Sequence, residues 1–159
     1  MLELSRTEVA VVACLASPEA LDALAPPAGA RPFRTAPDEL LLLCPPGAGP
    51  EAATAAGSAL RERDPDALVL EVTDGWCAWT LSGADAREAF ARLSALELPE
   101  RGKVQGELAR VPAKVIAEPE RLHLLVPSSW AAHVRERVLA LALEVRERPE
   151  PGPWEASEA

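Results

Sequence analysis

One nine-residue pattern occurs twice in this chain and sets most of what it can fold into. Pro37-Asp38-Glu39-Leu40-Leu41-Leu42-Leu43-Cys44-Pro45 and Pro119-Glu120-Arg121-Leu122-His123-Leu124-Leu125-Val126-Pro127 both read proline, acid, any residue, leucine, any residue, leucine, leucine, any residue, proline. In each copy a Pro-acid turn opens an apolar run too short for a globular helix, and the closing proline, which has no N–H, ends it. Glu39 to Cys44, unbroken and apolar, reads as a strand buried on both faces. A helix signal follows each copy, and a strand, a capped helix and a hairpin precede it. The order β-α-β-β-α, twice over, predicts an α+β fold of two split β-α-β halves, antiparallel sheets with helices packed on one side.

The rest of the chain supplies those elements in turn. Val9 to Leu15 is a continuous apolar run with β-branched members, and Ser17-Pro18-Glu19 behind it provides an N-cap, a first-turn proline and a first-turn acid. That predicts a strand, then a short helix stopped by Pro26-Pro27. Arg31 to Thr35 pairs with Glu39 to Cys44 as a hairpin, and Glu51 to Arg63 forms a helix weakened by Gly57. Residues 71–98 read strand, turn, strand, capped helix. Ala67 to Val72 alternates, Thr73-Asp74-Gly75 turns, and Trp76 to Leu81 alternates with an indole on each face. Ser82-Gly83-Ala84-Asp85 has the form of a capping box, and Ala86, Ala89, Phe90 and Leu93 make one helical stripe behind it. Strands are expected over residues 104–110, 111–117 and 122–126. Ser128-Ser129 caps a last helix from Trp130 to Glu147, with Trp130, Val134, Val138 and Leu141 facing inward. Residues 1–148 are read as a single domain and 149–159 as a disordered acidic tail, in which Trp154 stands out.

Charge narrows the partners. Sixteen Lys+Arg against 25 Asp+Glu leave −9, and the arginines of the last helix are broken up by glutamates. That argues against binding a nucleic-acid backbone or an anionic membrane surface. Cys14, Cys44 and Cys77 lie far apart in apolar runs, as buried free thiols of a reducing compartment do. The start lacks a basic leader region and no apolar run approaches the ~20 residues of a membrane span, so a cytoplasmic location is expected.

Chemistry-bearing patterns are sparse. His123 and His133 have no Cys or His at metal-ligand spacing, and no glycine pattern matches a phosphate or dinucleotide loop. Ser82 and Ser128 read as helix caps without a nearby base, so no catalytic residue is assigned and no metal site. Asp74 is the one weak candidate for a cofactor contact, and holding its own Asp-Gly turn is the simpler role. Trp76, Trp130 and Trp154 are the candidates for a partner interface, because indoles on amphipathic elements are favoured there.

Four segments in this order carry a family resemblance: Ala36 to Gly47, Val69 to Gly75, Thr80-Leu81-Ser82-Gly83-Ala84-Asp85-Ala86-Arg87, and Leu122 to Trp130. Together they resemble the gamma subunit of bacterial heterotetrameric sarcosine oxidase and, more distantly, the tetrahydrofolate-binding aminomethyltransferase domain of the glycine cleavage system. Leu40 stands where that family has Trp, Ala84 where it has Pro, and Trp130 where it has Phe. The resemblance implies an aminomethyltransferase-like fold and a non-catalytic small subunit that docks on and stabilises the large flavoprotein subunit of a demethylating amine oxidase. It implies that this chain binds no cofactor itself, with FAD, FMN, NAD and tetrahydrofolate held by partner subunits. The alternative is a free-standing tetrahydrofolate-binding protein of one-carbon metabolism with the same fold.

Overall fold

A computed structural model describes residues 1–154. The chain divides into two compact units where the sequence reading drew one domain: Met1–Thr7 with Asp74–Gly152, and Glu8–Thr73 with residues 153–154. It starts in the first unit with strand β1 (Leu2–Glu8) and leaves it at once.

The second unit runs β2 (Ala10–Leu15), α1 (Pro18–Asp22), β3 (Arg31–Ala36), β4 (Glu39–Cys44), α2 (Gly49–Arg61) and β5 (Leu68–Glu71). Its sheet has the order β3-β4-β2-β5 with every neighbouring pair antiparallel. β2 and β3 therefore run parallel with β4 between them, which is the split β-α-β arrangement. α1 begins as the sequence requires, with Ser17 Oγ accepting the Ala20 N–H at 3.3 Å and Pro18 in the first turn. On one face Val12, Cys14, Leu40, Leu42 and Cys44 pack with Ala20 and Leu21 of α1 and Ala52, Ala56 and Leu60 of α2. On the other face Val11, Ala13, Phe33, Leu41 and Leu43 are buried as well, as the unbroken run of β4 predicted.

The first unit resumes with β6 (Trp76–Ser82), α3 (Ala86–Leu93), β7 (Gly102–Leu108), β8 (Val111–Ala117), β9 (Arg121–Pro127), α4 (Ala131–Leu139) and β10 (Val145–Glu147), and a two-residue β11 (Gly152–Pro153) pairs with β1. Its sheet is ordered β10-β1-β6-β9-β8-β7. Leu4, Cys77, Trp79, Leu81, Val115, Leu122, Leu124 and Val126 pack around Phe90 of α3 and Val134 and Val138 of α4. The central strands β8-β9-β6-β1 repeat β3-β4-β2-β5 pair for pair. Where Cys44 faces Ala10, Val126 faces Cys77; where Leu41 faces Ala13, His123 faces Thr80. Two strands extend the copy, β7 outside β8 and β10, parallel, outside β1. No helix among the described residues is long and apolar enough to cross a membrane.

Several expectations are corrected. Residues 67–72 and 76–81 do not flank a turn within one sheet: β5 pairs with β2 and β6 with β1 and β9, and Thr73–Gly75 is a single 3-10 turn between strands of different sheets. The capping box does not form, because Asp85 itself occupies the N-cap position without a side-chain cap and its carboxylate lies 2.7 Å from the Met1 ammonium. Gly83, at φ +99°, makes this corner; a Cβ there would run into the Met1 carbonyl oxygen. The last helix ends at Leu139 rather than Glu147, since Val145–Glu147 finds a ladder on β1, and Ser128–Trp130 is a 3-10 turn with no serine cap. Of the inward stripe assigned to that helix, Val134 and Val138 are buried while Trp130 is 47% exposed. In the tail, Gly152–Pro153 forms β11 and Trp154 is only 4% exposed, so the disorder assigned from residue 149 does not extend over 152–154; residues 155–159 lie outside the described residues.

Candidate functional site

The helix-free face of the first unit's sheet gathers its polar side chains. Strand alternation turns Cys77, Trp79 and Leu81 toward the helices, and therefore Trp76, Ala78 and Thr80 the other way. Thr80 Oγ1 lies 2.6 Å from Thr7 Oγ1 and 3.0 Å from His123 Nδ1, and all three residues are buried. This chain crosses three adjacent strands, β1, β6 and β9. It satisfies polar groups that would otherwise cost free energy on burial. His123 is thus a core imidazole held by a hydroxyl.

Toward the open end of the same face, Lys114 Nζ sits 4.8 Å from the centroid of the half-buried Trp76 ring, a cation–π geometry. Beyond it Gln105, Glu107, Arg110, Pro112 and Lys114 line a shallow depression of about 390 Å³. Two cations, a carboxylate and an amide give it hydrogen-bonding capacity on an open surface, unlike the enclosed apolar pocket that small ligands favour. At its rim the β7–β8 hairpin turns on two non-glycine residues in the left-handed region, Ala109 (φ 50°) and Arg110 (φ 70°). The turn is held from both sides: Ala109 N–H donates to Leu93 O at 2.8 Å and His133 Nε2 donates to Ala109 O at 2.8 Å.

Of the residues singled out from sequence, Asp74, Trp76 and Trp130 fall in the first unit and Trp154 in the second. Asp74 is exposed in its 3-10 turn. Trp76 and Trp130 are engaged with different partners, Lys114 for the first and His133 for the second, whose rings meet edge-on at 5.7 Å. Trp154 is buried, with its backbone N–H donating to Glu8 O at 2.9 Å, and so presents no surface. Trp79, the other indole of β6, is buried and donates to Ala131 O at 3.2 Å. All three cysteines are free and buried, and desolvation raises the thiols, those of Cys14 and Cys44 to about 11. At neutral pH they stay protonated and unreactive. Among the described residues no group of three or more His, Cys, Asp and Glu could hold a metal.

One exposed surface has only a faint signal in the sequence. Leu68 and Leu70 of β5 are each 48% exposed, and Leu15, paired with Leu68, is 40% exposed. The signal was present in the alternation of residues 67–72, where one face carries three apolar residues, but only the sheet order shows that β5 is terminal and that this face stays open there.

Two consecutive split β-α-β units on antiparallel sheets define the class of fold, and comparison with known proteins places it further. Neither a scan against protein families nor a search of curated proteins finds a match. Solved structures do match. A chain of heterotetrameric sarcosine oxidase from Corynebacterium sp. U-96 aligns with TM-score 0.74 at 16% identity, over 87% of this chain and 82% of that one. The glycine cleavage system aminomethyltransferase T from Bartonella henselae aligns with TM-score 0.71 at 13% identity, over 92% of this chain and 47% of that one. The chain thus spans about half of that aminomethyltransferase. The regulatory subunit of aspartate kinase from Thermus thermophilus aligns less well, with TM-score 0.51 at 13% identity, over 89% of this chain and 97% of that one. The fold is that of the sarcosine oxidase chain and of the aminomethyltransferase, as the sequence resemblance predicted.

Proposed function

We propose that this chain is a small non-catalytic subunit that docks on and stabilises the flavoprotein subunit of a sarcosine-oxidase-like demethylating amine oxidase. The observation that carries the reading is the mutual coverage of the match to the heterotetramer, 87% of this chain and 82% of that one, so the two chains correspond nearly end to end. A subunit of that kind works by surface complementarity, and the exposed Trp130 and half-buried Trp76 are the side chains that would be desolvated on docking. FAD, FMN, NAD and tetrahydrofolate belong, in this reading, to the partner chains.

Purification of the tagged chain from its native host at native expression tests the reading. A yellow complex with a stoichiometric flavoprotein is expected. A colourless monomer that binds tetrahydrofolate would overturn it in favour of the second reading, which the aminomethyltransferase likeness over 92% of this chain supports. Trp76→Ala and Trp130→Ala should each weaken assembly at least tenfold while leaving the isolated chain folded.

A further inference from the structure

The edges of the two sheets are not built alike. β3 carries Arg31, Pro32 and Arg34, and β7 carries Lys103, Gln105 and Glu107 on its exposed face, the charged and proline residues that keep other strands away. β5 has a single such residue, Glu71 at its end, and over the rest of its length Leu68 and Leu70, each 48% exposed, continue into Leu15 at 40%. Val72 N–H donates to Val11 O, so by antiparallel alternation Leu70 and Leu68 bond to β2 while Val69 and Glu71 turn their backbone groups outward.

The first unit contains the completed version of the same edge. β1 pairs with β6 as β5 pairs with β2, which sets Glu3 and Ser5 at the positions of Leu68 and Leu70. Outside β1 lies β10, parallel, with Leu2 facing Val145, Glu3 facing Arg146 and Leu4 facing Glu147. Arg148 just beyond it donates to Glu3 Oε1 at 3.0 Å. The strand that completes this edge, with the residue after it, thus presents one apolar residue, Val145, and two arginines, Arg146 and Arg148, while its acid, Glu147, is taken up by Arg135. β5 is framed by acids in turn: Asp64 and Asp66 before it, Glu71 at its end and Glu39 beside Leu15 in the ladder. Two copies of β5 paired about a twofold would set these acids against one another, which disfavours a second copy of this chain as the occupant.

We propose that the outer edge of β5 is a strand-addition site for an extended segment of a different partner chain, apolar at alternate positions and flanked by arginine or lysine. Backbone groups of Val69 and Glu71 supply affinity, Leu15, Leu68 and Leu70 cover the apolar side chains, and the acidic frame selects the basic flanks. The site deepens the subunit reading by giving its partner a chemistry, yet the assay below needs no flavin and so fails or succeeds separately from it.

The probe is a short blocked peptide of alternating valine and threonine with arginines at both ends, compared with the same peptide ending in glutamates. Titration against the full chain should give binding of the arginine peptide at least about tenfold tighter than of the glutamate peptide. Amide hydrogen exchange of Val69 and Glu71 should slow on binding. Leu68→Thr with Leu70→Thr, which keeps strand propensity at exposed positions, should weaken binding about tenfold with an unchanged melting temperature. Equal binding of both peptides, binding without protection of Val69 and Glu71, absence of binding, or protection of these amides by self-association in sedimentation would each overturn the proposal.

Discussion

At matched positions of two ladders with the same pairing order, one unit carries Ala13 against Leu41 and the other Thr80 against His123. Both pairs are buried. The first needs only hydrocarbon contact; the second brings in Thr7 and survives burial because each hydroxyl and the imidazole share hydrogen bonds at 2.6 and 3.0 Å. The topology therefore does not dictate the chemistry of its inner face. An apolar pair tolerates repacking, whereas a polar chain holds one arrangement and loses much when any member goes.

The largest effect follows from that contrast. Thr80→Val removes the hydroxyl common to Thr7 and His123 and should destabilise the first unit by about 1–3 kcal/mol. Giving that unit the chemistry of the other, with Thr7→Val, Thr80→Ala and His123→Leu together, should recover most of the loss, because the partners leave with the bond. Urea denaturation followed by tryptophan fluorescence measures both variants. A triple variant as unstable as the sum of its single substitutions would show that the three residues act independently.

The same contrast explains what was legible beforehand. β4 and β9 were readable because proline brackets around a short leucine-rich run leave one option, and α1 because Ser17 and Pro18 cap it locally. β1 was missed: Leu2 and Leu4 alternate with polar residues over a stretch that has no turn signal of its own before Ala10. Its place depends on pairing with β6, more than 70 residues away, as the contact of Thr7 with Thr80 illustrates. β10 was absorbed into the preceding helix for the same reason, since the periodicity of Val134, Val138 and Leu141 runs on in sequence while the ladder with β1 decides the structure. Trp76 and Trp130 stand out in the sequence as indoles on amphipathic elements, but the exposure of Leu68 and Leu70 depends on sheet order, which no local pattern encodes.

A smaller effect sharpens the comparison at the hairpins. The β3–β4 turn uses Pro37 and Asp38, outside the left-handed region, whereas the β7–β8 turn places Ala109 and Arg110 in it. Left-handed backbone costs a residue with a Cβ about 1–2 kcal/mol, offset in part by the entropy glycine loses on folding. Arg110→Gly should therefore raise stability by about 0.5–1 kcal/mol and Asp38→Gly should lower it, both readable as shifts in the thermal midpoint. A loss with Arg110→Gly would mean that the arginine side chain makes contacts worth more than the strain.

The smallest effect concerns the strand that only the first unit possesses. Arg135 Nε and Nη2 donate to the two carboxylate oxygens of Glu147 at 2.5 and 2.6 Å, fastening β10 to α4. The hydrogen bond from Arg135 is the main reason that the Glu147 carboxyl is held below its usual 4.5. Because the folded value is the lower one, the stabilisation is fully present above about pH 4.5 and disappears as pH falls through the depressed folded value. Both side chains reach solvent, so the gain is modest and salt weakens it. Glu147→Gln should flatten the acid limb of the stability curve relative to the parent chain, with the two curves converging at the lowest pH, while amide exchange on β1 rises. β5 ends its sheet with no added strand like β10, so its own exchange should stay unchanged over the same range. A parallel rise on β5 would mean that the edges of the two sheets are held by a common device rather than by the strand and ion pair particular to one of them.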